Sequence, residues 1–158
     1  MERLYAGWRY EYIEAPRKQY DKLFEALPKE GDDEKNYILY RTKSCYLMLN
    51  SFPYNAGHLL AIPYRPVERL HQLTPEERTG LTDLVIFAEN LLTKALQPEG
   101  LNIGMNLGRV AGAGIPHHLH VHIVPRWDGD SNFMPVIGET RVLPIALKEM
   151  YERLKKFV

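Results

Sequence analysis

The chain has 158 residues, enough for one ordinary domain with a single substantial core. Hydrophobic residues make up 45% and charged residues 25%, the balance of a globular protein, which excludes a disordered chain. With 20 basic and 20 acidic residues the net charge is zero, so bulk electrostatic binding of nucleic acid or of a membrane is not expected. No apolar run reaches membrane length, no secretory leader is recognisable, and the lone Cys45 excludes an internal disulfide framework. A cytoplasmic home is the expectation.

Two aromatic clusters, Tyr5-Ala6-Gly7-Trp8 and Tyr10-Glu11-Tyr12, open the chain as an arm suited to packing on its own domain or on a partner subunit. Tyr20, Leu23, Phe24 and Leu27 have helical spacing and predict a short helix ending at Pro28. Lys29 to Lys35 reads as a solvated charged loop. Strands are predicted over 37–41 and 44–49, joined by a tight turn at Thr42-Lys43, and a third over His58 to Ile62. Thr74-Pro75-Glu76-Glu77 then opens a helix, with a capping threonine, proline at the first position and glutamate three after the cap. Leu81, Leu84, Val85, Ala88, Leu91, Leu92 and Ala95 give it an apolar stripe, and Pro98-Glu99-Gly100 ends it. Ile86 and Phe87 lie beside that stripe and are candidates for a partner-facing ridge.

A fourth strand, Leu101 to Leu107, leads into a glycine loop and then a histidine-rich strand. After an irregular 127–137 segment, Pro144 to Phe157 reads as an amphipathic helix. Strands in sequence with few intervening helices predict an α+β fold on an antiparallel sheet of about five strands. One domain over 1–158 is expected, with an arm at 1–35, a core at 36–135 and a C-terminal helix at 144–157.

Four of the six histidines fall between positions 117 and 122. His118, His120 and His122 alternate with Leu119, Val121 and Ile123, so a strand would put the aliphatic residues in a core and the three imidazoles on the opposite face. Three imidazoles on one face are a poor way to fill a core, because each ring nitrogen needs a partner. A lone histidine such as His71 is, by contrast, expected as a hydrogen-bonded core residue. Metal binding is the rival reading. Neighbouring triad residues have Cα atoms about 6–7 Å apart and the outer pair about 13 Å, too far for all three to hold one zinc at about 2 Å. No cysteine cluster supplies further ligands. Beside the triad, Gly112-Ala113-Gly114 can bring backbone N–H groups close to a phosphate.

His118-Leu119-His120-Val121-His122-Ile123-Val124 resembles the His-φ-His-φ-His-φ-φ signature of the histidine-triad (HIT) nucleotide hydrolases and transferases. Asn50-Ser51-Phe52-Pro53-Tyr54-Asn55-Ala56-Gly57-His58-Leu59-Leu60-Ala61-Ile62-Pro63 is similar to that family's Asn-x-x-Pro-x-x-x-Gly-His segment. Pro125-Arg126-Trp127-x-Gly129-Asp130-x-Asn132-Phe133 is similar to the branch acting on dinucleoside polyphosphates, which includes the fragile histidine triad protein. The match covers residues 36 to 135. The Cys-x-x-Cys zinc pair of some relatives is absent, so no structural zinc is expected.

The resemblance implies roles residue by residue. His120 is the nucleophile that attacks the α-phosphorus and forms a covalent nucleotidyl-histidine, its other nitrogen donating to a strand carbonyl. His118 and His58 hold and polarise the site, and His122 contacts phosphoryl oxygen and assists the leaving group. Asn50 bonds the ribose hydroxyls. Met48 and Leu60 border the base, or are plain core. Arg126 either pairs with distal phosphate or anchors its turn. Gly112 and Gly114 belong to the phosphate loop, and Asn106 or backbone groups hold an attacking water. Gly114 stands where hydrolases of this branch carry glutamine, so phosphorolysis competes with hydrolysis, towards which the abundance of water leans the reading. A phosphoramidase is a further alternative. Intact histidines speak against a non-catalytic binding module, and His122 against the hexose-phosphate transferases, which carry glutamine there. The expected partners are a small nucleotide substrate and a second copy of the chain, with no tightly bound cofactor and Mg²⁺ only as company for the polyphosphate.

Overall fold

The computed structural model describes residues 22–131 and 143–158. Its sheet has five strands, all paired antiparallel in the order β1-β2-β3-β5-β4: β1 Ile38–Arg41, β2 Cys45–Leu49, β3 Leu59–Pro63, β4 Gly100–Gly104 and β5 Val121–Arg126. The fold is α+β, as the strand-rich pattern predicts. Side-chain alternation sorts the sheet into two faces. Cys45, Leu47, Leu49, Leu59, Ala61, Val121 and Ile123 join one buried cluster. Ile38, Tyr46, Met48, Leu60 and Ile62 form the other, with Phe24 from the short helix α1 (Leu23–Ala26).

The long helix α2, Pro75–Leu96, lies on the first face. Its start is the predicted one: the Thr74 hydroxyl accepts from the Glu77 N–H, and the Glu77 carboxylate accepts from the Thr74 N–H. Such a cap stabilises a helix by about 1 kcal/mol. Leu81, Leu84, Ala88, Leu91, Leu92 and Ala95 are buried, and each buried leucine contributes roughly 1.5–3 kcal/mol. Gln97 ends the helix in the left-handed region. The C-terminal helix α3, Leu147–Lys155, adds Met150, Tyr151 and Leu154 to the same core. The Tyr151 hydroxyl donates to the Ile38 carbonyl, and Lys155 Nζ to that of Leu39, fastening the helix to β1.

Several boundaries differ from the sequence reading, each for a local reason. β1 begins at Ile38 because Tyr37 has a positive φ of 54°. β4 stops at Gly104, and the chain turns away before Met105. The short helix does not end at Pro28 but tightens into a 3₁₀ turn over Leu27–Lys29, where proline sits in the first turn without breaking it. The 29–35 loop is tied down: Asp33 takes a bidentate grip from Arg41. α3 starts at Leu147, since Ala146 is extended. His71 is exposed in a 3₁₀ turn over Leu70–Gln72, not in the core. Phe87 stacks on Tyr40 and packs on the core, leaving only Ile86, 50% exposed, of the expected ridge. The aromatic arm, Tyr20, and the part of the 127–137 segment beyond Ser131 lie outside the described residues.

Gly57, just before β3, has a φ of +80°, and a Cβ there would lie 2.6 Å from Leu96 Cδ1 and 3.2 Å from Pro125 Cγ. Gly57→Ala adds left-handed strain to overpacking and is expected to cost about 2–4 kcal/mol. A urea melt with an unchanged midpoint would show the contact to be soft.

Candidate active site

Strand register builds the site. Met48 faces Leu60 across β2–β3, Leu60 faces His122 across β3–β5, and His122 faces Gly104 across β5–β4. The four stand in one row across the second face. Met48 and Leu60 are buried there with Phe24, and Ile115 from the glycine loop packs on the same cluster. The sequence reading ran the triad strand from His118. The ladder starts only at Val121, because the Leu119 N–H leaves the sheet to bond the Val67 carbonyl at 2.7 Å. His118 and His120 precede the ladder and are buried, at 2% and 6% exposure, while His122 is half-buried. Phe24 meets the rings of both edge-on, at centroid distances of 5.6 and 5.1 Å.

Each imidazole has a definite hydrogen-bond assignment. His118 Nε2 donates to the Pro63 carbonyl at 2.7 Å. His120 Nδ1 donates to the His118 carbonyl at 2.8 Å, which leaves the lone pair of the neutral ring on Nε2. His58 is fully buried at the mouth of β3. Its Nδ1 accepts from the Tyr54 backbone N–H at 3.0 Å and lies 3.3 Å from the Asn50 amide nitrogen. The proton of neutral His58 is therefore on Nε2, which faces His122 Nδ1 at 3.0 Å. His122 in turn must carry its proton on Nε2, a buried atom with no hydrogen-bond partner among the described residues. Buried donors are nearly always paired, so this one is open to an oxygen acceptor that the described residues do not supply.

Burial holds the site neutral. Desolvation lowers the pKa of His118, of His120, and of His122, the last to about 4 with the neighbouring His120 as a second cause. An imidazole with a free lone pair is a nucleophile, and an unprotonated triad near pH 7 keeps His120 in that form.

The loops around the triad are held by a polar latch. Asp130 accepts from Arg126 Nε and Nη2 at 2.7 and 2.8 Å, from Asn55 Nδ2 at 2.8 Å and from the Trp127 N–H at 3.0 Å. The guanidinium of Arg126 chiefly holds the Asp130 carboxyl down at about 2. Of the two roles left open for Arg126, the structure has it anchoring the turn. Asn50 is engaged too: its Oδ1 accepts from the Phe52 N–H, and its amide nitrogen faces His58. In the glycine loop, the Gly112 N–H bonds the Arg109 carbonyl and the Ala113 N–H that of Gly108, so these two are committed inside the turn rather than held out for phosphate. Gly114 is exposed, and Asn106 is half-buried in the stretch after β4. The structure thus gathers His58, His118, His120, His122, Asn50, Met48 and Leu60, and leaves Asn106, Gly112 and Gly114 on the connecting segment.

Two neighbours escaped the sequence reading. Tyr54 stacks on His122 at 5.4 Å and 21° and tilts over His58 at 4.6 Å. It occupies a position of the Asn50–Pro63 motif where the pattern asks for no particular residue. Phe24 has helix spacing that looks the same for a core residue as for one packed on a catalytic ring.

The antiparallel five-stranded sheet thus carries neutral, hydrogen-bond-ordered histidines at the end of one strand. Residues 32–129 match the family description HIT domain, and the chain belongs to that family. It is 39% identical over 157 residues to a Mycobacterium tuberculosis protein named AP-4-A phosphorylase, covering 94% of this chain and 80% of the relative. A Schizosaccharomyces pombe protein named bis(5'-nucleosyl)-tetraphosphatase [asymmetrical] is 41% identical over 93 residues, 59% of this chain and 50% of its own. Among solved structures, a Zn-bound histidine triad family protein from Mycobacterium smegmatis superposes with a TM-score of 0.69 at 25% identity, covering 85% of this chain and 91% of the other. Among the described residues here, no group of three or more His, Cys, Asp or Glu side chains is placed to hold a metal ion.

Because the folded triad resists protonation, the folded state binds fewer protons than the unfolded chain below the ordinary histidine pKa of about 6.5. Above that pH both states are neutral at these rings and nothing changes. Stability is expected to fall as pH drops from about 6.5 towards the depressed value of about 4 at His122. Urea midpoints measured across that window should decline, and less steeply in His122→Gln. A flat profile would contradict the neutral triad.

Proposed function

We propose that this protein cleaves dinucleoside polyphosphates at the α-phosphate through a covalent nucleotidyl-histidine on His120. The observation that carries the reading is the His120 tautomer: Nδ1–H is fixed on the His118 carbonyl, so Nε2 offers its lone pair beside the His122 donor. Attack forms the bond from Nε2 to phosphorus and breaks the bond from phosphorus to the bridging oxygen, which departs with its electron pair. His122 Nε2–H is placed to hold a phosphoryl oxygen as charge develops. Met48 and Leu60 offer an apolar wall for the base. Asn50 would have to release its present contacts to meet a ribose.

The second acceptor divides two readings. The relative matched along 94% of the chain is named for phosphorolysis, and Gly114 leaves room where hydrolases of this branch carry glutamine. Both features favour inorganic phosphate, although the sequence reading alone leaned to water. The shorter match to a tetraphosphatase favours water. Arg41, Arg65 and Arg126 are each paired with a carboxylate, so a divalent ion accompanying the polyphosphate suits this site better than a resident cofactor. No helix among the described residues is long and apolar enough to cross a membrane, and we place the reaction in the cytoplasm. A homodimer is proposed through the β4 edge, where Ile103 is 46% exposed, together with Ile86.

With diadenosine tetraphosphate and phosphate, the expected products are ADP and ATP. AMP and ATP at saturating phosphate would instead establish hydrolysis. His120→Ala should lower turnover by about a thousandfold or more while nucleotide still binds. Activity near wild type in that variant would end the covalent reading. Sedimentation should give twice the chain mass, and a monomer at every concentration would remove the dimer.

A further inference from the structure

The hydrogen bonds that order the site also restrict where protons can go. His58 Nδ1 accepts from the Tyr54 backbone N–H at 3.0 Å, with the Asn50 amide nitrogen also close. A backbone N–H cannot reverse its direction. His58 therefore keeps its proton on Nε2 and presents it to His122 Nδ1. A second proton on His122 would have to sit on that same Nδ1, facing an N–H already there. Nor can His122 give up its Nε2 proton and refill from His58, because His58 would be left as an anion. The groups facing His122 among the described residues are His58, His120, Tyr54 and the apolar Leu60 and Gly104 pairs, none of which carries a carboxylate to stabilise an imidazolium.

We infer that the His58–His122 pair is a proton-locked hydrogen-bond donor, set by Tyr54, which restricts this site to leaving groups that depart as anions. Tyr54 is the positioning residue: its N–H fixes the direction of the chain, and its ring packs on both imidazoles. A nucleoside polyphosphate meets the requirement, because a terminal phosphate has its second pKa near about 6 and leaves without a proton. An alkylamine does not, since it leaves only after protonation and is basic to about pH 10. The lock therefore separates polyphosphates from phosphoramidates, and favours phosphate over water as acceptor for the same reason. Phosphate attacks as an anion, its oxygen lone pair forming the new bond as the bond from Nε2 to phosphorus returns its pair to His120. Water would have to shed a proton, and the one lone pair of His122, on Nδ1, is already engaged by the His58 Nε2–H.

This inference rests on the covalent reading above, and one experiment separates the two. The full chain is mixed with adenosine 5′-phosphate esters of substituted phenols whose pKa values run from about 7 to 10, and the phenolate burst is timed. With no proton delivered, the burst rate should fall about a hundredfold or more across the series. A change below about threefold would show that a proton reaches the leaving oxygen and would overturn the lock. Absence of any burst would instead remove the covalent step itself. In the second arm, ¹⁵N spectra of the histidine-labelled wild-type protein should show Nε2–H tautomers for both His58 and His122 between about pH 5 and 8. A proton on Nδ1 of either ring overturns the inference. Tyr54→Pro, which deletes the N–H, should flatten the phenol series and raise the rate on an adenosine 5′-phosphoramidate by about tenfold relative to the tetraphosphate. A folded variant with the wild-type slope would count against Tyr54, and the spectra decide should it not fold.

Discussion

The pairing of β3 with β5 is the constraint on which the rest of the site depends. Leu60 must face His122, because only then do Val121 and Ile123 enter the helix-covered core and His122 the opposite face. A slip of one residue would exchange the two sets and bury imidazoles beneath α2. Ile123 and Leu59, both fully buried, face each other in that ladder and hold the register by packing. At one end of β3, Gly57 fits against Leu96 and Pro125. Past the end of β5, the Asp130 latch draws the Asn55 loop onto the turn. Core packing and polar latch thus converge on one strand pair.

Within that frame the energetics favour neutrality over charge. A buried imidazolium needs a counter-ion, and among the described residues no hydrogen-bond partner of His118, His120 or His122 is a carboxylate. Carbonyl acceptors and a second imidazole satisfy the neutral rings instead. Among the described residues, the one buried side-chain donor left unsatisfied is His122 Nε2–H. Leaving it buried costs about 1–3 kcal/mol, a cost offset when an oxygen arrives. Arg41, Arg65 and Arg126 are each tied to a carboxylate instead.

The legibility of the sequence followed the range of the interactions. Period-2 alternation separated the faces of β5, and the capping box placed the start of α2 to the residue, because both signals are local. Strand ends were less readable. His118 and His120 alternate as strand residues do, yet the His118 ring bonds the Pro63 carbonyl, the His120 ring bonds the His118 carbonyl, and the Leu119 N–H between them leaves the sheet for Val67. Tyr37 and Ala146 set where β1 and α3 begin through their backbone angles, for which neither residue type gives notice. His71, isolated in sequence, carried no pattern with which to tell a core position from an exposed turn. Asn50 and Asp130 stood in recognisable motifs, but their present partners are set by loop closure across long separations.

The tautomers were the least legible feature, and the reason is physical. Three of the four imidazoles are oriented by main-chain groups: His118 by the Pro63 carbonyl, His120 by the His118 carbonyl, and His58 by the Tyr54 N–H. A main-chain partner has no side-chain identity, so a reading of residue types could name the acceptor for His120 in general terms and could not see the donor to His58. The same fact makes the arrangement robust. Side chains around the site can change without altering which nitrogen bears the proton, so long as the backbone path is kept. Only His122 depends on another side chain, and it alone presents a buried, unpaired N–H among the described residues. The proton order of the site is in this sense a property of the fold, transmitted from the 50–57 loop through His58 to the open donor on His122.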